Sequence, residues 1–370
     1  MGVNVSNKVA NGGIIAAAMV VGIHVCDPQE IGSALWWWDA MLRRGLFQVA
    51  VPFFFVCSGY FLCRHYECAR VDGGDLWAGW RGEMRKRVKS LLLPYVIWSV
   101  IGVCVLKSLP LVLAANVVHG RSLLANMPGG WRFWLHAFGG CPFCWPFNIP
   151  LWYVRALLMY AVVSPVPYFL MRRFGGWKVC LSLYFLVVAF SAGVFGGARV
   201  YMFFRYCFSL SGFFFFAVGC WLSLRDNGLA RFANALKHVP MLAVGFALTG
   251  MALIVWRNLL WCRFGEDIQL FKCLTAPILL VAFWFAIPSG QWPKWLVSSS
   301  FPVYLIHALL WPLIGRACCL AGWPSPFWMR VDTIAEWLLK WVIGFGGSLA
   351  ISVLLRRLWP GLARVLFGGR

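Results

Sequence analysis

The stretch Val51-Pro-Phe-Phe-Phe-Val-Cys-Ser-Gly-Tyr-Phe-Leu62 decides the fold, because it is apolar enough for a membrane interior and still carries polar atoms. Its Ser58-Gly59-Tyr60 triplet interrupts the hydrocarbon. Gly59 lets a second backbone approach closely, and the hydroxyls of Ser58 and Tyr60 need hydrogen-bond partners away from water. The segment is therefore predicted to pack inside a bundle of membrane helices.

The chain as a whole has the composition of a membrane protein. Of its 370 residues, 61% are hydrophobic and 12% are charged, whereas a soluble domain has about 25% charged residues. The mean hydropathy is +0.75. No polar stretch is long enough to fold separately, so residues 1–370 are interpreted as a single membrane domain. Its 23 Trp and 31 Phe residues suit membrane interfaces and lipid-facing surfaces.

Runs of apolar residues predict an all-α, polytopic protein, because a spanning helix needs about 20 of them. The sequence has about ten such runs. They cover residues 10–26, 45–63, 91–113, 150–170, 177–196, 206–224, 239–257, 269–287, 298–319 and 334–356. Most Lys and Arg residues fall on the side that the two termini share. Cytoplasmic loops of membrane proteins are rich in these residues, so both termini are predicted to be cytoplasmic.

The net charge of +21 does not indicate nucleic-acid binding, since the basic residues lie in short loops between apolar runs. Anionic lipid headgroups are the expected partners instead. The densest basic segment spans residues 76–90, which alternate basic and apolar faces at helical spacing and predict an amphipathic interfacial helix. Its cations form what we call the cationic collar: Arg81, Arg85, Lys86, Arg87 and Lys89. The collar either binds lipid alone or also holds a phosphorylated cytosolic donor.

Three ionisable side chains in the apolar runs are candidates for function, because such residues are costly within a membrane. His24 ends the first run, and a neutral imidazole can remove a proton from a hydroxyl near pH 7. Arg155 in the fourth run either binds an anionic ligand or extends to the interface. His307 in the ninth run lies one helical turn from Tyr304, and it either contacts substrate or is a packing residue.

Fourteen cysteines are scattered along the chain, and only Cys141-Pro-Phe-Cys144 forms a close pair. A structural zinc site needs four ligands, and two more at suitable spacing are missing nearby. No metal site is predicted. The pair is interpreted as a disulfide or as two free thiols in an outer loop.

An ordered series of short motifs resembles the acyltransferase 3 family of bacterial integral-membrane O-acyltransferases, and it covers nearly the whole chain. The motifs are Met19-Val-Val-Gly-Ile-His24, Val51-Pro-Phe-Phe-Phe-Val-Cys-Ser-Gly-Tyr-Phe61, Arg85-Lys-Arg-Val-Lys-Ser-Leu-Leu-Leu-Pro-Tyr95, Leu151-Trp-Tyr-Val-Arg155, Gly212-Phe-Phe-Phe-Phe-Ala-Val-Gly219 and Tyr304-Leu-Ile-His307. Each motif is weak alone, whereas the series in this order is fairly specific.

The resemblance implies transfer of an acyl group, usually acetyl and sometimes succinyl, from a coenzyme A thioester to a hydroxyl of a cell-envelope glycan or lipid-linked sugar. It also implies a bacterial inner-membrane location and no permanently bound cofactor. By the family pattern, His24 matches the essential histidine and the collar matches conserved arginines. The family usually carries an arginine where this chain has Gly13. Either Arg85, Arg87 or Arg155 carries that anion-binding task, or the chain is a divergent, inactive member.

The mechanism expected from these residues is general-base catalysis. His24 would deprotonate the acceptor hydroxyl, and Ser58, Tyr60 or a backbone N–H would stabilise the oxyanion. Arg85 and Arg87 would bind acyl-CoA phosphates, with Arg155 orienting the donor or acceptor. The candidates for substrate contact are Trp152, Tyr304 and His307. A covalent acyl-histidine step stays open, and so do two other functions: a glycan or lipid transporter, and a non-catalytic scaffold of envelope assembly.

Overall fold

A computed structural model of the chain describes residues 5–25, 31–71, 75–107, 148–194, 208–224, 240–264, 269–320 and 331–369. It also describes a few residues between these ranges, at 130–131, 133–134, 138, 146 and 203–204. Helices make up most of this part of the chain, and it contains no β-strand. The predicted all-α class is therefore confirmed for the described residues.

Fifteen α-helices are described in chain order. They are α1 (Val5–Ile23), α2 (Ala34–Leu42), α3 (Ala50–Val71), α4 (Leu76–Arg87), α5 (Leu93–Lys107), α6 (Leu151–Val163), α7 (Pro165–Phe174), α8 (Gly176–Ser191), α9 (Leu210–Ser223), α10 (Pro240–Phe264), α11 (Gln269–Ala286), α12 (Lys294–Val297), α13 (Ser300–Leu320), α14 (Ile334–Leu358) and α15 (Pro360–Leu366). A 3₁₀-helix, Leu46–Val49, leads into α3, and a π-helix, Val88–Leu92, joins α4 to α5.

Several of these helices can cross a membrane. Five helical stretches are long and apolar enough by themselves, and the bent pair α6–α7 raises the number to six. Shorter apolar helices include α8, α9 and parts of α11 and α13. Each of the ten predicted runs contains a described helix, at least in part. The number of spans and the orientation of the termini stay predictions.

The stretch that decides the fold forms most of α3, and it packs closely on α9 through two glycines. A Cβ atom on Gly59 would lie 2.0 Å from the carbonyl oxygen of Phe216, and one on Gly219 would lie 2.0 Å from that of Val56. Neither backbone could therefore come this close with a larger residue. A disulfide between Cys63 and Cys220, with Cα atoms 5.1 Å apart, joins the same two helices.

Pro165 explains the bend of 54° between α6 and α7. Proline has no N–H and its ring displaces the carbonyl four residues earlier, which is that of Ala161. That oxygen accepts hydrogen bonds from Ser164 Oγ at 2.6 Å and from Trp80 Nε1 at 3.3 Å. Neighbouring groups thus satisfy the freed carbonyl, as a bent helix within a membrane requires. Through Trp80, the same bond attaches α4 and its cationic collar to the bundle.

We expect Ser164→Ala to destabilise the protein by about 1–3 kcal/mol, because it removes a buried donor from the Ala161 carbonyl. Ser164 is fully buried, and its hydroxyl also lies 2.7 Å from Tyr66 Oη. Thermal or SDS-induced unfolding of the purified protein measures the change. Ser182→Ala on α8 is the control, since Ser182 is exposed. Equal stability of the two variants would contradict this account of the bend.

Helix α1 is held near its start by the end of α11 and midway by α13. Near its start, Lys8 Nζ donates to the carbonyl of Trp284 at 2.8 Å, and Asn11 Nδ2 donates to that of Pro288 at 2.9 Å. Both side chains are buried and cover the carbonyl end of α11. Midway, Ser300 Oγ of α13 donates to the Gly13 carbonyl at 3.0 Å. These contacts direct the far end of α1, and with it His24, along α13.

Candidate functional site

Five side chains from four segments form a continuous row through the bundle, which we call the polar row. The rings of His24 and His307 have centroids 5.3 Å apart, and those of His307 and Tyr304 are 6.1 Å apart. Tyr304 and Tyr153 follow at 5.6 Å. The row ends at Ser58 Oγ, 3.3 Å from Tyr153 Oη. It therefore connects the end of α1 with the middle of α3 through α13 and α6.

The local structure accounts for the placement of both histidines. His24 directly follows α1, and its backbone N–H still donates to the carbonyl of Val21 at 3.0 Å. Its side chain is half-buried. His307 lies one turn after Tyr304 on α13, so both side chains project from the same face of that helix. His307 is fully buried.

A cavity of about 280 Å³ adjoins the other end of the polar row. Its lining includes Ser58, Tyr153 and Tyr304 from the row, together with Ser300 and Arg87. Most of the remaining wall is apolar, with Phe54, Phe61, Leu91, Leu157 and Phe301. The cavity thus reaches from the collar to Tyr304, and the two histidines continue beyond its lining.

Arg87 is the collar residue that faces this cavity. Its side chain is 12% exposed, and its Nε lies 3.9 Å from Glu83 Oε2, which is longer than a hydrogen bond. Nε makes no hydrogen bond with the described residues. Glu83 also contacts Lys86 at 3.0 Å and His65 at 3.6 Å, so it is shared among several partners. A guanidinium so placed can bind an anion that enters the cavity.

Gly13 lies behind a wall of the same cavity. A Cβ atom there would be 3.3 Å from Ser300 Oγ, and Ser300 is part of the lining. The nearest upstream cation, Lys8, is engaged by the carbonyl of Trp284. Among the described residues that line the cavity, Arg87 is the one cation. Arg87 can therefore bind the anion that an arginine at position 13 would bind in the family pattern.

Two buried polar atoms at the centre of the row make no hydrogen bond with the described part of the chain. They are Tyr304 Oη and His307 Nε2. His307 Nδ1 lies 3.1 Å from the carbonyl of Val303, which can only accept, so Nδ1 carries the hydrogen and Nε2 carries the lone pair. Buried polar atoms in native proteins are nearly always paired. A donor and an acceptor without described partners, on neighbouring rings of one row, therefore indicate a site for a polar ligand.

The structure does not bring Ser58 and Tyr60 to His24. Gly22 is next to Phe47, just before α3, and Ser58 lies a further eleven residues along the chain, or about 16 Å. The hydroxyl of Tyr60 accepts a hydrogen bond from Arg64 at 2.8 Å. Tyr60 is thus engaged near the collar, while Ser58 is linked to His24 through the polar row alone.

The other predicted site residues are spread over the molecule. Arg85 is exposed on α4, and Arg155 is half-buried on α6; neither lines the cavity. Trp152 lines a second cavity of about 250 Å³, next to Phe55 and Arg44. Of the three residues predicted to contact substrate, only Tyr304 and His307 lie together in the polar row.

Sequence reasoning missed Tyr153 and Asn148. Tyr153 joins Ser58 to Tyr304, and it stands in the motif between the two residues that were selected, Trp152 and Arg155. Asn148 is 1% exposed, and its Nδ2 lies 3.5 Å from the carbonyl of Leu305. The sequence signal for Asn148 was a polar residue placed just before an apolar helix that begins after a proline. That signal is shared by ordinary loop residues, and Tyr153 had no signal that separates it from a packing residue.

The residues that the structure describes contain no group of three or more His, Cys, Asp or Glu side chains that could hold a metal ion. Cys141 and Cys144 lie outside the described residues. The site is thus built from imidazoles, hydroxyls and one guanidinium, a set suited to proton transfer and oxyanion or phosphate binding.

Comparison with known proteins gives two matches that extend over most of the chain. The model of an acyltransferase domain, acyltransferase 3, matches residues 14–357. The succinoglycan biosynthesis protein ExoH of Rhizobium meliloti (strain 1021) is 24% identical over 393 residues, covering 100% of this chain and 94% of the relative. No solved structure matches the chain significantly.

Proposed function

The chain belongs to the acyltransferase 3 family, and from this premise we propose that it is a membrane-bound O-acyltransferase. It transfers an acyl group, acetyl in the first instance, from acyl-CoA to a hydroxyl of a cell-envelope or exported glycan. The similarity to a succinoglycan biosynthesis protein supports a glycan as the acceptor. The apolar helices support a multi-pass membrane protein, and we place it in the bacterial inner membrane.

The donor enters from the collar. Coenzyme A carries several phosphates, and Arg87 at the mouth of the 280 Å³ cavity supplies a partly buried guanidinium for one of them. The exposed cations Arg81, Arg85 and Lys89 contribute attraction at longer range and also contact anionic lipid. The narrow pantetheine arm then extends along the apolar wall, which brings the thioester toward Tyr304.

The acceptor reaches the site from the opposite end of the row. His24 takes the proton of the acceptor hydroxyl, and the oxygen attacks the thioester carbonyl. Negative charge develops on the carbonyl oxygen, and Tyr304 Oη is a suitable donor to it, because that hydroxyl is buried at the inner end of the cavity and makes no hydrogen bond with the described residues. The C–S bond then breaks, which leaves an ester and coenzyme A.

One observation carries this proposal: the polar row joins a cavity that contains Arg87 to His24 without a break. An acyltransferase with donor and acceptor on opposite sides of a membrane needs such a connection. A protein that only bound lipid at its surface would need neither the interior cavity nor a fully buried histidine next to a half-buried one.

A transfer assay tests the proposal directly. Purified protein in detergent or proteoliposomes is given acetyl-CoA with a labelled acetyl group and glycans from the cell envelope, and labelled glycan is measured by mass spectrometry. Succinyl-CoA is supplied in a parallel reaction, since the acyl group is part of the proposal. We expect an ester on the glycan and one free coenzyme A per ester formed.

Two results would contradict the proposal. Tight binding of glycan with no thioester consumed from either donor would favour a transporter of glycans or lipids. Neither binding nor transfer, with envelope glycans of unchanged ester content when the gene is deleted, would favour a scaffold.

A further inference from the structure

The mechanism above leaves one proton unassigned. When the C–S bond breaks, the sulfur of coenzyme A departs as a thiolate, an anion whose conjugate thiol has a pKa near 8.5 in simple models. It leaves into a largely apolar cavity, where a free anion is costly. The proton taken from the acceptor is by then on His24. Neither histidine is part of the cavity lining, but His307 adjoins Tyr304, which is, and His24 lies one ring further away. A group between His24 and the cavity can therefore shorten the path of the proton to the sulfur.

His307 lies at that position. Its ring is 5.3 Å from that of His24 and 6.1 Å from that of Tyr304, which lines the cavity. Its Nδ1–H is held by the carbonyl of Val303 at 3.1 Å, which fixes both the tautomer and the direction of the ring. Its Nε2 keeps a free lone pair, since this buried atom has no hydrogen-bond partner within the described residues.

We propose that His307 is a second catalytic histidine, which receives the proton from His24 and delivers it to the leaving sulfur. This inference rests on the proposed acyltransferase function. In the step, the acceptor O–H bond breaks and its proton passes to His24; the new C–O bond forms and the C–S bond breaks. The proton moves from His24 to Nε2 of His307 and then to sulfur, so alcohol and thioester become ester and thiol, and both histidines end neutral.

A packing histidine would have a different surrounding. Both of its ring nitrogens would have hydrogen-bond partners, because an unpaired buried acceptor destabilises the folded protein. His307 is fully buried, with one nitrogen bonded to a carbonyl and the other bonded to none of the described residues. This is instead the arrangement of an imidazole that is oriented by one nitrogen and reacts with the other.

Donors with different leaving groups test the role. An acyl-CoA releases an alkyl thiolate, which needs a proton, whereas a thiophenyl ester of the same acyl group releases a much more stable thiolate. His307→Asn keeps an amide N–H near the position of Nδ1 and removes Nε2. We expect this variant to transfer from acyl-CoA at least about 100-fold more slowly than the unaltered protein, and from the aryl thioester within about threefold of it.

The controls separate this role from folding and from the proposed function. His307→Gln serves as a second variant in case His307→Asn fails to fold, and both are checked for a single symmetric gel-filtration peak. His65→Asn, on the surface part of α3, should match the unaltered protein with both donors. An equal loss with both donors would overturn the relay, and so would a loss of less than about threefold with acyl-CoA. If the unaltered protein transfers from neither donor, it is the proposed function that fails.

Discussion

Replacing His24 with alanine should lower the rate of acyl transfer by about 10²- to 10⁴-fold, the usual contribution of a positioned general base. The imidazole is half-buried at the end of α1, next to His307 and at the end of the polar row away from the collar. Tyr304, Tyr153 and Ser58 carry hydroxyls, which are poor bases, and His307 is fully buried behind His24, so His24 is the row's imidazole that an acceptor from outside meets first. The measurement is single-turnover formation of acylated glycan.

The His24→Ala substitution should slow the chemical step and leave the binding of the donor unchanged. His24 does not line the cavity that contains Arg87, so the Kd for acyl-CoA should stay within about twofold of the unaltered value. His65→Ala is the matched control, because His65 is a partly exposed histidine near Glu83 at the collar. A His24→Ala variant that transfers acyl groups at more than about a tenth of the normal rate would exclude general-base catalysis by this residue.

The second large effect is expected from Arg87→Gln, which removes the cation at the cavity. A hydrogen bond to a charged group contributes about 1.5–3 kcal/mol, so the KM for acyl-CoA should rise by about 10- to 150-fold. The turnover rate at saturation should change little, since Arg87 contacts the donor far from the thioester. Initial rates over a range of acyl-CoA concentrations measure both values.

A truncated donor makes the test of Arg87 specific. The acyl thioester of N-acetylcysteamine has the reactive end of acyl-CoA and no phosphates, so Arg87→Gln should leave its KM unchanged. Arg85→Gln is the matched control, because Arg85 belongs to the same basic motif and is exposed on α4. If Arg85→Gln raised the KM for acyl-CoA as much as Arg87→Gln, the collar would act by its overall charge and the cavity site would be excluded.

The close packing around Gly59 was the most direct prediction to be met. A polar triplet within an apolar run indicated close approach of another backbone, and the structure places α9 there with carbonyl oxygens where a Cβ would be. Such a prediction succeeds because it depends on the size of one residue and on the absence of water around it. The bounds of α3, by contrast, were placed several residues too early in the sequence, since the 3₁₀ turn Leu46–Val49 is equally apolar.

Predictions about the site were less complete, because they required contacts between residues far apart in the chain. Tyr60 and Tyr304 are both tyrosines in apolar helices. The hydroxyl of Tyr60 accepts a hydrogen bond from Arg64, whereas that of Tyr304, whose ring adjoins His307, bonds to none of the described residues. Tyr153 joins the row although it lay unselected between two candidates. Each of these outcomes depends on how a helix is rotated about its axis, and an almost uniformly apolar helix gives no periodic signal for that rotation.

The sequence by itself determined that this is an all-α protein suited to a membrane, that it belongs to one acyltransferase family, and that His24 and the collar are its chief ionisable features. These conclusions follow from composition and from ordered motifs, which can be recognised without knowing the tertiary structure. Only the tertiary structure decided that Arg87 faces the cavity and Arg85 does not. Two residues apart on a helix means about 200° of rotation, so only one of them can point inward, and the neighbouring helices determine which.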